Sequence, residues 1–138
     1  MYFIDTNVFL EYFLDRQYAE QCEKIFNAIK AKKISAVCSY FSMQSICICA
    51  VGMKKQRQFQ RFLDYISGLD NLSVIYTNVS DSKQILKTTE ETSLDYDDAL
   101  QYYIAEKAGC EAIITLDQDF KKTKINSLHP KEFKIQQP

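Results

Sequence analysis

Apolar positions along this 138-residue chain alternate between short runs and longer stretches with helical spacing. The short runs are rich in β-branched and aromatic residues, which are typical of strands. They lie at residues 2–4, 33–37, 73–76 and 112–115. Most of the longer stretches have apolar residues three and four positions apart, which predicts helices. The apolar run at residues 46–51 continues the stretch from Phe41 without a turn signal and is also predicted to be helical. The longer stretches lie at residues 7–14, 17–31, 41–51, 59–66, 80–89 and 96–108.

Residues beside these stretches indicate where the helices begin and end. Ser39 and Asp95 precede two of them and have side chains suited to an N-cap. Gly68 follows the 59–66 helix and Gly109 follows the 96–108 helix, as glycine commonly does where a helix stops. A further short edge strand is predicted at residues 133–135.

Strands that alternate with helices of about ten or more residues predict a parallel sheet with helices on both faces. Right-handed crossovers then give an α/β fold with three layers, an α/β/α sandwich. We expect a central, mostly parallel sheet of four or five strands. The chain shows no repeat, linker or low-complexity stretch, so residues 1–138 are predicted to form one domain.

Acidic residues stand at the ends of two predicted strands. Asp5 follows the first strand and Asp117 the fourth, while Asp97 and Asp98 begin the 96–108 helix. Ligands bind at the carboxyl ends of parallel strands, so we expect these carboxylates to meet at one edge of the sheet. Taken singly, each acid is explained more simply by a helix terminus or a turn. Their convergence is what favours a functional site.

Converging carboxylates repel one another, which raises their pKa values and lowers stability. A hard divalent cation relieves this repulsion, and oxygen ligands suit Mg²⁺ or Mn²⁺. Such a cation acidifies a bound water for attack on a phosphodiester and neutralises charge in the transition state. The acids therefore predict a Mg²⁺ or Mn²⁺ site.

Composition narrows the functional classes further. Seventeen Lys and Arg against eighteen Asp and Glu give a net charge of −1, which excludes a highly basic nucleic-acid coat. No apolar run approaches the length of a membrane span, and no secretory signal is expected at the N-terminus. Five cysteines, an odd number, favour reduced thiols and a cytoplasmic protein. Walker-A, GxGxxG and GxSxG motifs are all missing from the sequence.

Four motifs, in order along the chain, resemble those of PIN-domain nucleases. The first is DTNVFL at residues 5–10, and the second is DYDDAL at residues 95–100. TLDQDF at residues 115–120 is similar to the TxDxDF motif, and HPKEF at residues 129–133 to the tail that closes many of these domains. The small size of the chain is most similar to VapC-type toxins.

The resemblance implies a PIN fold and a metal-dependent endoribonuclease that hydrolyses RNA. Asp5, Asp98 and Asp117 would be catalytic and would hold the metal together with Asp119, and Asp97 would support them. The family also implies a homodimer and an antitoxin protein as the partner. Asn7 and Thr115 are candidates for orienting the carboxylates, with a turn hydrogen bond as the alternative.

One position departs from the family pattern. Ser45 stands where the family commonly has a second acid, often Glu. A serine hydroxyl can hold a metal-bound water but adds no charge. This favours an alternative function, a PIN-like module that binds RNA or a protein partner without turnover. A phosphatase with Asp5 as nucleophile is disfavoured, because Asn7 stands where such enzymes usually have a second Asp.

Basic and aromatic residues are candidates for contacts to RNA. The basic residues, which are equally typical of a solvated helix face, form two runs: Lys54, Lys55, Arg57 and Arg61, then Lys121, Lys122 and Lys124. Four tyrosines are candidates for stacking on bases, with the core or a dimer interface as the alternative: Tyr40, Tyr96, Tyr102 and Tyr103.

Overall fold

The computed structural model describes residues 1–136 and contains five strands and six α-helices in those residues. The strands are β1 (Tyr2–Ile4), β2 (Ala36–Ser39), β3 (Leu72–Ile75), β4 (Ala112–Ile114) and β5 (Asn126–Leu128). The helices are α1 (Thr6–Phe13), α2 (Ala19–Lys30), α3 (Tyr40–Gly52), α4 (Gln56–Ser67), α5 (Val79–Thr92) and α6 (Tyr96–Lys107). Two short 3-10 helices, Gln118–Lys122 and Pro130–Glu132, lie before and after β5. None of the helices in residues 1–136 has the length and apolar character needed to cross a membrane.

All five strands are parallel, in the order β3-β2-β1-β4-β5. In the register, Phe3 pairs with Val37 on one side and with Ile113 on the other. The chain starts in the centre of the sheet, moves out to β3, and returns to the other side of β1 to form β4 and β5. The carboxyl ends of β1 and β4 therefore lie side by side.

The predicted edge strand at residues 133–135 is wrong, and β5 takes the edge position instead. β5 is the short, polar segment Asn126–Leu128, which has no apolar run to indicate a strand. Phe133 follows the last 3-10 turn and packs edge-on against the ring of Tyr2, with the ring centroids 5.6 Å apart. Phe133 thus adds to the core through its ring rather than through strand pairing.

Two apolar cores lie on opposite faces of the sheet and confirm the predicted three layers. Successive residues of a strand point to opposite faces, so Phe3 and Ile4 enter different cores. On one face Ile4 packs with Phe9, Phe26 and other residues of α1 to α4. On the other face Phe3 packs with buried residues of α5 and α6.

The helix termini follow the local sequence. The Ser39 hydroxyl accepts a hydrogen bond from the Ser42 amide, and the Asp95 carboxylate accepts one from the Asp98 amide. Both are the predicted N-caps. Gly109 has a φ of 69° just after α6, a conformation that glycine adopts without strain. These caps set where α3 and α6 begin, at the edge of the sheet that holds the acids.

Candidate active site

A pocket of about 240 Å³ opens at the carboxyl edge of the sheet between β1, β4 and the first turn of α6. Asp5 directly follows β1, Asp117 follows β4 after two intervening residues, and Asp98 lies in the first turn of α6. All three line the pocket, together with the polar residues Thr6, Asn7, Ser45, Asp97 and Gln101. Parallel pairing of β1 with β4 is what brings residues more than a hundred positions apart into one cavity.

Three carboxylates are close enough to bind one cation. Asp98, Asp117 and Asp119 each present an oxygen within 4.8 Å of the others. Asp117 also accepts a hydrogen bond of 2.8 Å from the amide of Asp119, which holds the last two acids in one turn. An all-oxygen set of this kind fits Mg²⁺ or Mn²⁺.

Asp5 belongs to the same pocket but is set deeper. Its side chain occupies the N-cap position of α1 without making a capping hydrogen bond. Instead, one carboxylate oxygen accepts a 2.6 Å hydrogen bond from the Thr115 hydroxyl. Asp5 is only 3% exposed, far less than an ordinary capping acid. Helix capping therefore does not explain why an acid is present here.

The Thr115 hydroxyl connects β1, α1 and the end of β4. It donates to Asp5 and accepts a hydrogen bond of 2.9 Å from the Asp117 amide. The Asn7 side chain donates to the same hydroxyl at 3.4 Å and accepts from the Leu116 amide at 3.2 Å. These bonds fix the orientation of Asp5 and of the backbone that carries Asp117.

Sequence reasoning missed Gln101, a buried polar residue in this pocket. Its side-chain oxygen accepts a hydrogen bond of 3.3 Å from the Thr6 amide, and a hydrogen bond from Gln101 lowers the pKa of Asp5. Gln101 lies three residues after Asp98, so both are on one face of α6. The three-residue spacing from Asp98 could have placed Gln101 at the pocket, but sequence reasoning looked for charged side chains and Gln101 is uncharged.

A second missed feature is a chain of hydroxyl groups beneath the pocket. The Thr6 hydroxyl donates to Ser42 at 2.7 Å, and Ser42 and Ser39 share a hydrogen bond of 2.8 Å. Both serines are fully buried. The chain joins the first turn of α1 to the first turn of α3.

Burial and neighbouring negative charge raise the pKa of two carboxyl groups in the pocket, Asp98 and Asp5. Burial, followed by the negative charges of Asp95, Asp117 and Asp5, raises the pKa of Asp98 to about 7. Burial also raises the pKa of Asp5, while the hydrogen bond from Thr115 opposes that rise. A bound divalent cation would reverse this balance, because opposite charge favours the ionised carboxylate.

Ser45 and the basic residues differ in their position relative to the pocket. Ser45 lines the pocket together with the carboxylates of Asp5, Asp98 and Asp117. Lys121 lies in the 3-10 turn that follows Asp117 and contains Asp119. In contrast, Lys54 follows α3, a helix about 18 Å long that starts beside the pocket. Arg57 and Arg61 lie on α4, and none of these basic residues lines the pocket.

The fold and the pocket define a three-layer α/β/α protein with a carboxylate site suited to a divalent cation. The sequence matches the PIN domain over residues 2–126. The chain therefore belongs to the PIN-domain family, whose members are generally nucleases. A search of the curated proteins found no match to the sequence.

Solved structures with the same fold include toxin–antitoxin proteins. A toxin–antitoxin complex from Klebsiella pneumoniae has a TM-score of 0.70 and 17% identity, over 96% of this chain and 100% of that chain. VapC20 of Mycobacterium tuberculosis, a toxin that cleaves the Sarcin-Ricin loop, has a TM-score of 0.72 and 12% identity, over 91% and 96% of the two chains. VapBC2 of Rickettsia felis, bound to promoter DNA, has a TM-score of 0.69 and 17% identity, over 92% and 96%. At these identities the likeness shows the fold.

Proposed function

We propose that this protein is a metal-dependent endoribonuclease, the toxin of a toxin–antitoxin pair. The observation that carries the proposal is the convergence of Asp98, Asp117 and Asp119 beside the buried Asp5. Membership of the PIN-domain family supports the same activity. Mg²⁺ or Mn²⁺ would be held by these four acids and would supply an acidified water and positive charge against the phosphate.

The protein's own residues would prepare this site in three ways. Thr115 and Gln101 keep Asp5 in a fixed orientation. Asp98 must give up its proton before it can bind a cation, because its pKa is raised to about 7. Asp97 is exposed at the mouth of the pocket, where its charge adds to the attraction for a cation.

A titration of Mn²⁺ into metal-free protein by calorimetry tests the site before any RNA is chosen. We expect wild-type protein to bind Mn²⁺ and Asp98→Asn to lose most of that binding. Cleavage of single-stranded RNA should then require Mn²⁺ or Mg²⁺ and stop with EDTA. Cleavage of the same RNA by Asp98→Asn at the wild-type rate would contradict the proposal.

Ser45 supports a second candidate function, a PIN-domain module that binds RNA or a protein without cleavage. A serine at this position leaves the site with less negative charge than a further carboxylate would, so it should bind a cation more weakly. The matched variants Ser45→Glu and Ser45→Gln separate the two functions. If the missing acid limits turnover, Glu increases Mn²⁺ affinity and cleavage and Gln does not. RNA binding that is equal with and without EDTA, with no cleavage by any variant, would favour the module.

The proposed partners are an antitoxin, a second copy of the chain and RNA. Structural neighbours that are toxin–antitoxin complexes support the antitoxin. The sequence of α3 contains no charged residue, and its outward Ile48 and Val51 are 74% and 62% exposed, which supports burial of this face in a homodimer. Light scattering should show a dimer, and Ile48→Glu should give monomers, whereas Leu86→Glu, at an exposed apolar residue of α5, should leave the dimer intact.

The proposal also covers which basic residues contact RNA and where in the cell the protein is located. Lys121 is nearer in sequence to the acids than the basic residues of the first run, so Lys121→Ala should reduce RNA affinity more than Lys54→Ala, Arg57→Ala or Arg61→Ala. Salt titration of RNA binding measures the difference. We propose a cytoplasmic location, where the five free cysteines stay reduced.

A further inference from the structure

Two tyrosines form a stacked pair on the edge of the sheet that carries the acids. Tyr40 directly follows β2 and Tyr76 directly follows β3, after the paired residues Ser39 and Ile75. Their ring centroids are 4.4 Å apart with an interplanar angle of 25°. Tyr40 is 40% exposed and Tyr76 is 68% exposed. A stacked pair covers one face of each ring, so much of the remaining aromatic surface meets solvent.

The pair lies close to the acidic pocket. β2 is the neighbour of β1, and β3 is the next strand beyond it. In the strand register, Ser39 and Ile75, the residues before the two tyrosines, are about 5 and 10 Å to the side of Asp5 at the usual spacing of strands. Phe41, the residue after Tyr40, lines the pocket itself. The Ser39 cap fixes where α3 begins and therefore where Tyr40 lies.

Core packing does not explain this pair. The apolar cores contain neither ring among their buried members, and the two rings form one contiguous exposed patch, a feature of interaction sites when such a patch is large. A flat π surface beside a phosphodiester-cleaving site has a natural ligand in an unpaired nucleobase, since every base has a π face. Gln44, one turn after Tyr40 on the exposed face of α3, adds a polar group suited to the polar edge of a base.

We propose that Tyr40 and Tyr76 form a stacking platform for an unpaired base of the RNA, next to the phosphate held at the acids. The identity of the ligand rests on the proposed ribonuclease function. The platform would restrict substrates to single strands and loops, because a base inside a duplex is already stacked on its neighbours. It would add affinity for bases without selecting a sequence strongly.

The test measures RNA binding separately from cleavage. The full chain with Asp98→Asn is titrated, by fluorescence anisotropy, into a labelled adenosine octanucleotide and into a ribose-phosphate chain of equal length without bases. Tyr76→Leu and Tyr40→Leu remove the rings, and Tyr76→Phe and Tyr40→Phe are the matched controls. Both tyrosines are exposed, so circular dichroism should show that all variants fold.

We expect each Leu variant to bind the adenosine RNA roughly 5- to 150-fold more weakly, the usual range for one base on one aromatic ring. The Phe variants should bind within about twofold of the parent, because the phenol hydroxyl is not part of a stack. The chain without bases should bind all variants equally. Weaker binding that is the same for Leu and Phe, or the same for both RNA chains, overturns the platform.

Two further outcomes distinguish the platform from a protein interface and from the nuclease activity. If the Leu variants lose the oligomeric mass or antitoxin binding of the parent while RNA affinity is unchanged, the pair is a protein interface and the proposal is overturned. Metal-dependent cleavage that survives unchanged in Tyr76→Leu overturns the platform and leaves the nuclease in place. If the Leu variants bind the adenosine RNA more weakly but the wild-type protein cleaves no RNA, the platform is supported and the nuclease function is overturned.

Discussion

Asp98→Asn should stabilise the metal-free protein, although it damages the site. Burial and the neighbouring acids raise the pKa of Asp98 from 3.8 to about 7, so the folded protein resists ionisation of this carboxyl. A shift of about three pH units corresponds to about 4 kcal/mol. Solvent around the partly exposed carboxylate screens the repulsion, and we take about half of that value. The α6 N-terminus favours an acid by roughly 0.3–1 kcal/mol, which the variant loses. The net gain is about 1 kcal/mol.

The difference in stability between Asp98→Asn and the wild type should depend on pH, because it arises from the ionisation of Asp98. An acid with a raised pKa binds its proton more tightly in the folded state, so its destabilising effect is missing below about pH 4 and complete above about pH 7. In EDTA, thermal melts should therefore show Asp98→Asn about 3 °C above wild type at about pH 8 and no higher than wild type at about pH 4. Added Mn²⁺ should stabilise the wild type and have little effect on the variant.

Asp97→Asn is the matched control, because it removes an exposed acid from the same turn of α6. We expect it to be unchanged or slightly less stable at both pH values. A lower melting temperature for Asp98→Asn in EDTA at about pH 8, or an equal gain at both pH values, would refute the reasoning that an unfavourable ionisation of Asp98 destabilises the fold.

Three other predictions concern the network, the pH dependence and a distant acid. Thr115→Val removes hydrogen bonds to Asp5 and to the Asp117 amide, so urea titration should show a loss of about 1–3 kcal/mol that Thr115→Ser largely restores. Mn²⁺ affinity, measured by calorimetry, should fall about tenfold per pH unit below about pH 7, because a proton competes for Asp98; a flat profile would contradict this. The Asp81 carboxylate accepts a hydrogen bond from the Asn78 amide, and this bond, followed by those from Tyr103 and Lys107, lowers the pKa of Asp81 to about 2. Its contribution to stability is present above about pH 4 and lost as the pH falls toward 2, and acid titration of Asp81→Asn should lack that loss.

The strands and the meeting of the acids were predictable from sequence because both depend on local pattern and chain direction. Short apolar runs indicated β1 and β4, and parallel pairing then placed Asp5 beside Asp117. The PIN-like three-layer fold is confirmed by the five parallel strands and their two cores. β5 was missed because it is three residues long, polar and partly exposed, so hydrogen bonding to β4 is what makes it a strand.

The uncharged residues that hydrogen-bond around the acids were less predictable from the sequence. Gln101 and the hydroxyl chain of Thr6, Ser42 and Ser39 are uncharged, and their roles come from partners far away in the sequence. The stacked tyrosines depend on the register of β2 and β3, which composition does not reveal. Tyr40 was a sequence candidate for stacking, whereas Tyr76 was hidden within the end of a predicted strand.

The acids of the pocket differ in their burial and in the number of hydrogen bonds that hold them. Asp5 is held by Thr115, and the buried hydroxyl chain locks α1 to α3 beneath it. Asp119, in contrast, is exposed on a short 3-10 helix of five residues. Cation binding should therefore stabilise the 118–122 segment and leave the floor of the pocket unchanged. Backbone amides of that segment would then exchange hydrogen more slowly when metal is bound, while those of α1 would keep the same rate.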